Sequence, residues 1–568
     1  MSRVGDERRD GPSGSQMPPG TVYLGNEIVH LDGVEHGVDG QVMLQPRPST
    51  DPNEPLNWSR LQKAINYALG CLFTLMVFAT LDVGTVTWPS LTAELGYDSE
   101  YLTYSYAAGL AGLGVGCVLF IPAAVLLGRK PVYLCASLTM VFVNVGQALF
   151  RTKAQYIVLQ VLAGLAGSVN DTIIQMTIID LFFVHQRATV NGIYCVMVVA
   201  GTYLSLIPAG YIIRTQGWRW VWWWCAILNG VVLVLIIIGF EETRYSRQEE
   251  NCFLGQDVQF AESLEGKKAE EPVLCEKKQQ SSRPETFPIM PAGERPVIHR
   301  RKYFERVMFS GPPSDLSIDT YWRHLRRPFF LFFRIPAVTF VAIEYSIMLC
   351  WVAVLATTQP LLFAAAPYNF SSVGVGNINV SPFLGAFLGS VYGGPLNDYY
   401  VVKMASKRSG VYDPEMRLHM LLAPLVLTPL GLFLYGISIA HVCLTPVQLL
   451  MHTYESQEQH WIVPLIGSGL VGFGLGSSTS IILPYFGDSY PELVAEGLVA
   501  ITYIRNGIAT AAAFAISPWM NGLGVEKMFV SAGCICFGIL VIAIPMIIWG
   551  RSLRSRTAEI YFNIVAQG

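Results

Sequence analysis

Long apolar runs alternate with short polar breaks over most of this 568-residue chain. Six runs precede a polar block at 241–334 and six follow it, and each can cross about 30 Å of hydrocarbon as a helix. One such run also suits a buried core helix, but twelve at this spacing predict twelve membrane-spanning helices. The runs cover 63–88, 103–127, 131–150, 155–178, 190–213, 218–240, 335–364, 372–394, 418–440, 461–486, 494–518 and 526–549.

Composition agrees with a membrane protein. Hydrophobic residues make up 52% of the chain, charged residues make up 14%, and the mean hydropathy is +0.42. Globular proteins carry about 25% charged residues. These values argue against a soluble enzyme, a nucleic-acid-binding protein and a disordered scaffold. The 11 Cys form no C-x-x-C pair and have no His at metal spacing, so we expect no disulfide framework, metal site or cofactor.

The positions of Lys and Arg predict the orientation, because cytoplasmic loops are enriched in these residues. If the N-terminus is cytoplasmic, the external loops hold five of the 38 bases and Arg505 lies within a run, which leaves 32 on the cytoplasmic side. Both termini are therefore predicted to be cytoplasmic, in the plasma membrane. The predicted parts are an N-terminal tail (1–62), a first half (63–240), a linker (241–334), a second half (335–550) and a C-terminal tail (551–568).

Four segments outside the runs carry further expectations. In the linker, 241–315 is predicted to be disordered and 317–334, which mixes bases with aromatics, to lie in the membrane interface. Five Trp within 218–224 are expected at the outer interface, with a Trp-lined substrate site as the less favoured alternative. The long loop 441–460 is either a lid or a gene-model artefact, and its lack of recognisable chemistry favours the artefact. The sequon at Asn369 is predicted to be external, and both a glycosylated and an unused site remain open.

Four ionisable residues lie inside the runs. A charge at the bilayer centre costs at least about 2.5–3.5 kcal/mol, so such residues need a reason. A buried carboxylate can load and unload a proton, and its charge can be linked to a bound substrate. We therefore expect Asp82, Asp171, Glu344 and Arg505 to take part in proton coupling or substrate binding, with static ion pairing to Arg505 or to polar neighbours as the alternative. Residues that would line the cavity are Asn170, Tyr345, Trp351, Gln359 and Asn377.

Other charges lie at the predicted cytoplasmic ends of runs. Asp180, Asp488 and Glu496 are expected to cap helices or to form salt bridges at a gate. Arg187 and Arg408 are plausible partners for them.

Several motifs resemble the major facilitator superfamily. Gly394-Pro395-Leu396-Asn397-Asp398, followed by Lys403, Lys407 and Arg408, is similar to motif A of that family. The resemblance implies that Gly394 permits close helix contact and that Asp398 joins a charge relay that locks a closed state. The corresponding first-half loop carries Gly128, Arg129 and Lys130, but Val125 stands at the acidic position and Ile121 at the leading glycine.

Six further segments resemble the fungal members of the twelve-spanner drug:proton antiporter branch. They are P-P-G-T-V-Y-L (18–24), S-T-D-P-N-E-P-L-N-W-S (49–59), D-L-F-F-V-H-Q-R-A (180–188), G-W-R-W-V-W-W-W (217–224), F-E-E-T-R-Y (240–245) and D-P-E-M-R-L (413–418). The resemblance runs along nearly the whole chain. It implies an all-α integral membrane fold in which two six-helix halves surround a central cavity.

Two motifs depart from that family pattern. Gln160 stands where motif B normally carries an Arg implicated in proton coupling. Motif C normally reads close to G-P-x-x-G-G, whereas this chain has Gly201, then Pro208 and Gly210. Antiport is therefore implied by the resemblance and not by intact motifs.

The expected function is proton-coupled export of a small organic compound, such as a drug or a secondary metabolite, by alternating access. The expected partners are that substrate, protons and the lipid bilayer, without nucleic acid, and the expected state is a monomer. One alternative is a proton-coupled importer of a nutrient or cationic amine with the same fold. Another is a membrane sensor that does not transport. An enzyme is not expected, because no nucleophile–base pair, metal cluster or Walker-type loop is present.

Overall fold

The computed structural model describes residues 54–182, 184–243, 328–366, 368–408, 411–443, 461–490 and 493–566, with short N-terminal pieces at 19–20, 22–23, 35–36 and 42–43. Most of the predicted linker and residues 444–460 of the predicted external loop lie outside the described residues. The predictions for these two segments therefore stay predictions.

Helices make up nearly all of the described chain. The helices before the linker are α1 (Arg60–Asp82), α2 (Gly84–Leu95), α3 (Ser99–Leu127), α4 (Arg129–Leu149), α5 (Lys153–Leu181), α6 (Val184–Val199), α7 (Leu206–Gln216) and α8 (Trp218–Gly239). Those after it are α9 (Pro336–Ala364), α10 (Ser372–Asn377), α11 (Val380–Val391), α12 (Asn397–Lys407), α13 (Glu415–Leu418), α14 (Leu422–Cys443), α15 (Ile462–Ser489), α16 (Val494–Leu540) and α17 (Ala543–Ala566).

Four two-residue strands form two antiparallel pairs. β1 (Val22–Tyr23) pairs with β4 (Val411–Tyr412), and β2 (Glu35–His36) pairs with β3 (Val42–Met43). Helix starts carry ordinary caps: the Ser59 hydroxyl accepts from the Gln62 amide ahead of α1, and Thr152 with Gln155 forms a capping box ahead of α5.

Ten helical stretches of the described residues are long and apolar enough to cross a membrane. They do not match the twelve predicted runs one to one. The stretch Glu496–Phe562 holds the last two runs, which part at Gly524, where φ is +76°. The eighth run, 372–394, is helical in two pieces, α10 and α11, joined by a short turn at 378–379, and it ends in a π-helical turn at Tyr392–Leu396.

The closest helix pairs occupy matching places in the two halves. A Cβ added at Gly164 of α5 would overlap the carbonyl oxygen of Gly109 on α3. A Cβ added at Gly385 of α11 would overlap the carbonyl oxygen of Gly469 on α15 in the same way. Small residues allow such approach where lipid supplies no hydrophobic drive between helices. The second span thus packs on the fourth, as the eighth packs on the tenth, which is the relationship expected of two repeated halves.

The two halves also touch each other. On one side α3 lies against α16, where the rings of Tyr104 and Phe514 are 5.9 Å apart. On the other side Gly210 of α7 packs directly on the backbone of Ser372 and Val373 in α10. These contacts define the boundary along which the candidate site lies.

Candidate functional site

Asp171 and Arg505 form an ion pair across the boundary between the halves. Asp171 lies on α5 and Arg505 on α16, and both side chains are buried. Asn506 completes the arrangement: its carbonyl oxygen accepts from Nε and Nη2 of Arg505 at 3.1 and 3.0 Å, and its amide nitrogen lies 3.3 Å from Oδ2 of Asp171. Charge and hydrogen bonding thus satisfy most of the buried guanidinium.

Three further side chains surround this pair. The Arg505 guanidinium lies over the ring of Tyr345 on α9, 4.7 Å from its centroid, which is a favourable cation–π distance. The amide of Asn506 lies 3.5 Å from the Cys117 sulfur on α3. Tyr194 on α6 is within electrostatic range of the same pair. Side chains from α3, α5, α6, α9 and α16 therefore meet at one point, which we call the central cluster (Cys117, Asp171, Tyr194, Tyr345, Arg505 and Asn506).

Glu344 is adjacent to Tyr345 in sequence, but its surroundings are separate from the central cluster. Its side chain is 1% exposed, and neither carboxyl oxygen has a hydrogen-bond partner among the described residues. Its helix neighbours one turn away, Val341 and Met348, belong to the apolar core of the second half. Glu344 is therefore a solitary buried acid.

Asp82 occupies a third, separate place. It accepts a hydrogen bond of 3.0 Å from the Tyr106 hydroxyl, within the first half. Of the four ionisable residues that the sequence analysis singled out, the structure brings together Asp171 and Arg505 only. The static-partner alternative thus fits Asp171 with Arg505 and Asp82 with its polar neighbour Tyr106, whereas neither carboxyl oxygen of Glu344 has a hydrogen-bond partner among the described residues.

The five residues predicted to line the cavity have different surroundings. Asn170 accepts a 2.5 Å hydrogen bond from Thr74, and Tyr345 contacts Arg505. Trp351 is buried in an apolar cluster of the second half, and Gln359 is buried near the end of α9. Asn377 is exposed, as is the sequon residue Asn369, which adopts φ of +49°. Of these five residues, Tyr345 belongs to the central cluster, and Asn170 is adjacent to its member Asp171 in sequence.

A second group of charges lies where several helices end, and we call this region the charged end (Arg129, Asp180, Asp398, Arg417 and Asp488). In the first half Arg129 pairs with Asp180 at 3.0 Å. Burial raises the pKa of Asp180, and the Arg129 guanidinium opposes that shift. Asp180 lies near a helix end, as the sequence analysis expected, and so does Arg129.

Glu242 holds the same loop from the end of α8. Its two carboxylate oxygens accept from the backbone N–H groups of Arg129 and Lys130, at 2.9 and 3.0 Å. The ammonium of Lys130 donates to the Phe240 carbonyl at 2.6 Å. A carboxylate at a helix N-terminus is favoured by the free N–H groups and the helix dipole. Glu242 thus anchors the first-half loop, in which Val125 occupies the acidic position of motif A.

In the second half Arg417 joins two acids at the charged end. It pairs with Asp398 at 2.5 Å and with Asp488 at 2.7 Å, and the Tyr412 hydroxyl also donates to Asp488, at 2.5 Å. Arg408, one of the two plausible partners considered for the acids at the helix ends, is exposed, and the described ion pair of Asp488 is made by Arg417. The Arg187 side chain lies outside the described residues, and Asp180 pairs with Arg129.

The sequence analysis missed the roles of Arg417 and Glu242, although both lie in segments quoted for the family resemblance, D-P-E-M-R-L and F-E-E-T-R-Y. Gln160, at the motif B position, is buried and donates to the Tyr156 hydroxyl at 3.1 Å. In the motif C region Gly201 packs on the backbone of Leu75, whereas Pro208 is exposed. The described contacts at these altered motifs are thus a neutral hydrogen bond at Gln160 and close packing at Gly201.

These features define a class of protein: an all-α membrane protein with two repeated helical halves, charged groups buried between them and salt bridges where the helices end. The family model for the Major Facilitator Superfamily matches residues 69–451. The chain belongs to that superfamily. It is therefore a multi-pass membrane transporter that binds a small-molecule substrate, and it is not an enzyme.

Relatives over nearly the full length agree. The chain is 30% identical to the "Uncharacterized MFS-type transporter C1271.10c" of Schizosaccharomyces pombe, covering 96% of this chain and 94% of the relative. It is 28% identical to "Protein HOL1" of Saccharomyces cerevisiae, covering 96% and 97%, and 24% identical to "Efflux pump radE" of Floropilus chiversii, covering 96% and 90%.

A solved structure shows the same fold. A partially occluded inward-open structure of the xylose transporter XylE from E. coli aligns with a TM-score of 0.53 at 12% identity, covering 86% of this chain and 97% of XylE. At that identity the likeness supports the fold alone.

Proposed function

We propose that this chain exports a small organic compound, such as a drug or secondary metabolite, in exchange for protons by alternating access. The observation that supports this most directly is the buried ion pair between Asp171 and Arg505, since it joins one half to the other. Relatives named as efflux pumps, such as radE, support the direction of transport.

The pair offers a physical link between ion binding and conformational change. Alternating access moves one half against the other around a site between them. Separating two buried charges leaves each without its partner, which costs about 3–5 kcal/mol. A proton on Asp171, or a charged substrate group that replaces one partner, lowers that cost. The pair then parts when its ligand state changes, which is what coupled transport requires.

Glu344 and Asp82 supply two further acids that can carry a proton or hold a substrate group. Glu344 has no described partner that would keep it ionised, whereas Asp82 is hydrogen-bonded to Tyr106 and Thr202. We place the proton-carrying role on Glu344 first, because its charge state depends only on its exposure to water during the cycle.

Orientation and organisation belong to the same proposal. The charged end faces the cytoplasm, with both termini on that side of the plasma membrane. The halves at 63–240 and 335–550 move against each other, and one chain suffices for transport. The sequon at Asn369 then faces outward, as do Arg219 and Glu94, which pair at 2.8 Å.

Flux in proteoliposomes tests the function. The purified protein is reconstituted, an inward or outward pH gradient is imposed, and movement of ethidium as a fluorescent amphipathic probe is followed. Asp171→Asn and Glu344→Gln are compared with Asp98→Asn, whose side chain is exposed. We expect pH-driven export in the wild type and in the control, and its loss in both variants. Wild-type rates in both variants would refute the coupling assignment.

A second candidate is import of a cationic amine, and the solitary Glu344 favours it, because an unpartnered buried carboxyl suits a cation. Radiolabelled choline, a quaternary amine that cannot lose a proton, provides the probe. Accumulation of choline with the proton gradient, together with no ethidium export, would establish import instead of export.

A further inference from the structure

The C-terminal segment 551–566 continues α17 as a helix and packs on the second half. Thr557 and Tyr561 are buried on it, beside the buried Tyr490 that follows α15. The hydroxyl oxygens of Tyr490 and Thr557 are 3.0 Å apart, and the ring centroids of Tyr490 and Tyr561 are 5.5 Å apart. Leu418 of α13 belongs to the same apolar cluster. The segment therefore lies against α13 and the end of α15, two elements that contribute residues to the charged end.

Arg554 connects this segment to α13. Its side chain is 1% exposed, and Nε and Nη2 donate to the two carboxylate oxygens of Glu415 at 2.8 and 2.6 Å. Nη1 donates to the Pro19 carbonyl, so every nitrogen of the buried guanidinium has an acceptor. A bidentate pair fixes direction as well as distance, because the planar guanidinium matches the planar carboxylate. Arg554 thus holds the start of α13 in one orientation.

Arg417 lies two residues beyond Glu415 in the same four-residue helix. It is the residue that bridges Asp398 of α12 and Asp488 of α15. A helix of one turn is too short to be stable by itself, so contacts from outside must hold it. The position of Arg417 consequently depends on the contacts that fix α13, and the pair of Glu415 with Arg554 is the charged contact among them.

Gly550 shows how closely α17 approaches α13. A Cβ added at Gly550 would lie 2.7 Å from Cγ of Glu415 and 2.9 Å from its Oε1, and Cβ atoms in proteins do not come so close to other atoms. Because Arg554 holds the carboxylate, Glu415 cannot simply turn aside. The spacing between α17 and α13 is therefore set by sterics as well as by charge.

We propose that Arg554 is a positioning residue for the bridges that Arg417 makes, and that the C-terminal segment is the brace from which it acts. Arg554 orients α13 through Glu415, and α13 in turn presents Arg417 to its two acids. The links Asp398–Arg417 and Glu415–Arg554 thus connect α12 to α17 in series through α13. Loss of the segment is expected to loosen the charged end, although the segment contributes no member to it.

Distances between spin labels test this connection in the absence of substrate. The labels are attached to Lys407→Cys of α12 and Ser555→Cys of α17, two exposed positions, in a background whose accessible native cysteines are replaced by serine. Arg554→Gln and Arg417→Gln each break one link. Arg556→Gln changes an exposed arginine on the same segment and is the control.

We expect the ratio of long to short distances to rise at least about tenfold in Arg554→Gln and in Arg417→Gln, because each change leaves a buried charge without its partner. The ratio should keep its wild-type value in Arg556→Gln. The double variant should match the single variants, since a series of links is already open once one link is broken. A merely structural role of Arg554 would instead add its effect to that of Arg417→Gln.

Gly550→Ala tests the same link without changing a charge. The added methyl group displaces Glu415 and should raise the long-distance population as Arg554→Gln does. Gly538→Ala is the matched control, because a Cβ there meets nothing within 4 Å. This comparison remains decisive if Arg554→Gln does not fold.

Equal distances in Arg554→Gln and Arg556→Gln would overturn the proposal. So would equal distances in Gly550→Ala and Gly538→Ala, or a double variant whose effect is the sum of the two single effects. None of these measurements depends on the substrate, on protons or on the direction of transport. The brace and the proposed function can therefore fail independently of each other.

Discussion

The guanidinium of Arg505 donates to the carboxylate of Asp171, a residue 334 positions earlier in the chain and on the other half of the molecule. Because both side chains are buried, this pair is a part of the fold as well as a candidate for coupling. The two roles are separable, since stability can be measured without transport.

Neutralising one partner of this ion pair should destabilise the protein. Asp171→Asn leaves Arg505 buried without its counter-charge, so we expect a loss of about 3–5 kcal/mol in unfolding free energy. The double variant Asp171→Asn with Arg505→Gln should lose less than the sum of the single changes. Thermal unfolding in detergent, with Asp98→Asn as the exposed control, provides the measurement. Additive losses would show that the pair is not coupled.

Glu344→Gln should behave differently, although Glu344 is buried too. No described donor is lost, and the amide keeps the shape of the acid, so unfolding free energy should change by less than about 1 kcal/mol. The same thermal assay measures it beside Asp171→Asn. A loss as large as that of Asp171→Asn would mean that Glu344 has an essential partner, and it would remove Glu344 as a solitary proton carrier.

Arg417 and Arg408 form a matched pair at the charged end. Arg417→Gln removes the bridge between Asp398 and Asp488, whereas Arg408→Gln changes an exposed side chain. We expect the distance between spin labels on Leu127→Cys and Lys407→Cys, exposed positions in the two halves, to lengthen in Arg417→Gln alone, in a background whose accessible native cysteines are replaced by serine. A lengthening in Arg408→Gln and not in Arg417→Gln would contradict a role for the Arg417 bridges at the charged end.

Close helix packing predicts a cost at Gly164. Gly164→Ala forces α3 and α5 apart and should cost about 1–3 kcal/mol, the usual penalty of overpacking. Gly230→Ala is the control, because a Cβ there meets nothing within 4 Å. Thermal unfolding of the two variants measures the difference. Equal stability would contradict the close approach of these helices.

Glycosylation tests the predicted orientation. Asn369 is exposed, so its side chain is accessible to an enzyme. Its φ is positive, which Asn tolerates better than most residues. In eukaryotic expression we expect a mobility shift that glycosidase treatment removes and that Asn369→Gln lacks. A sequon introduced at the charged end provides the control. Modification there, and not at Asn369, would reverse the orientation.

Much of the architecture followed from sequence. Apolar runs of spanning length predict helices because a backbone in lipid must satisfy its own hydrogen bonds, and this constraint is local. Gly524 separates the last two spans inside one helical stretch, between the predicted runs, and a π-helical turn at Tyr392–Leu396 ends the eighth run. Asp171, Glu344, Asp82 and Arg505 were also recognisable one by one, because charge inside an apolar run is rare.

Which of those charges meet was decided by tertiary structure alone. Arg505 pairs with Asp171, and not with Asp82 or Glu344, because α16 packs beside α5 and α3 at the boundary of the halves. Arg417, and not Arg408, reached Asp488 for the same kind of reason. A sequence determines which residues lie on a helix and how apolar they are. Pairing depends on distances between helices hundreds of residues apart, so only the packed bundle specifies it.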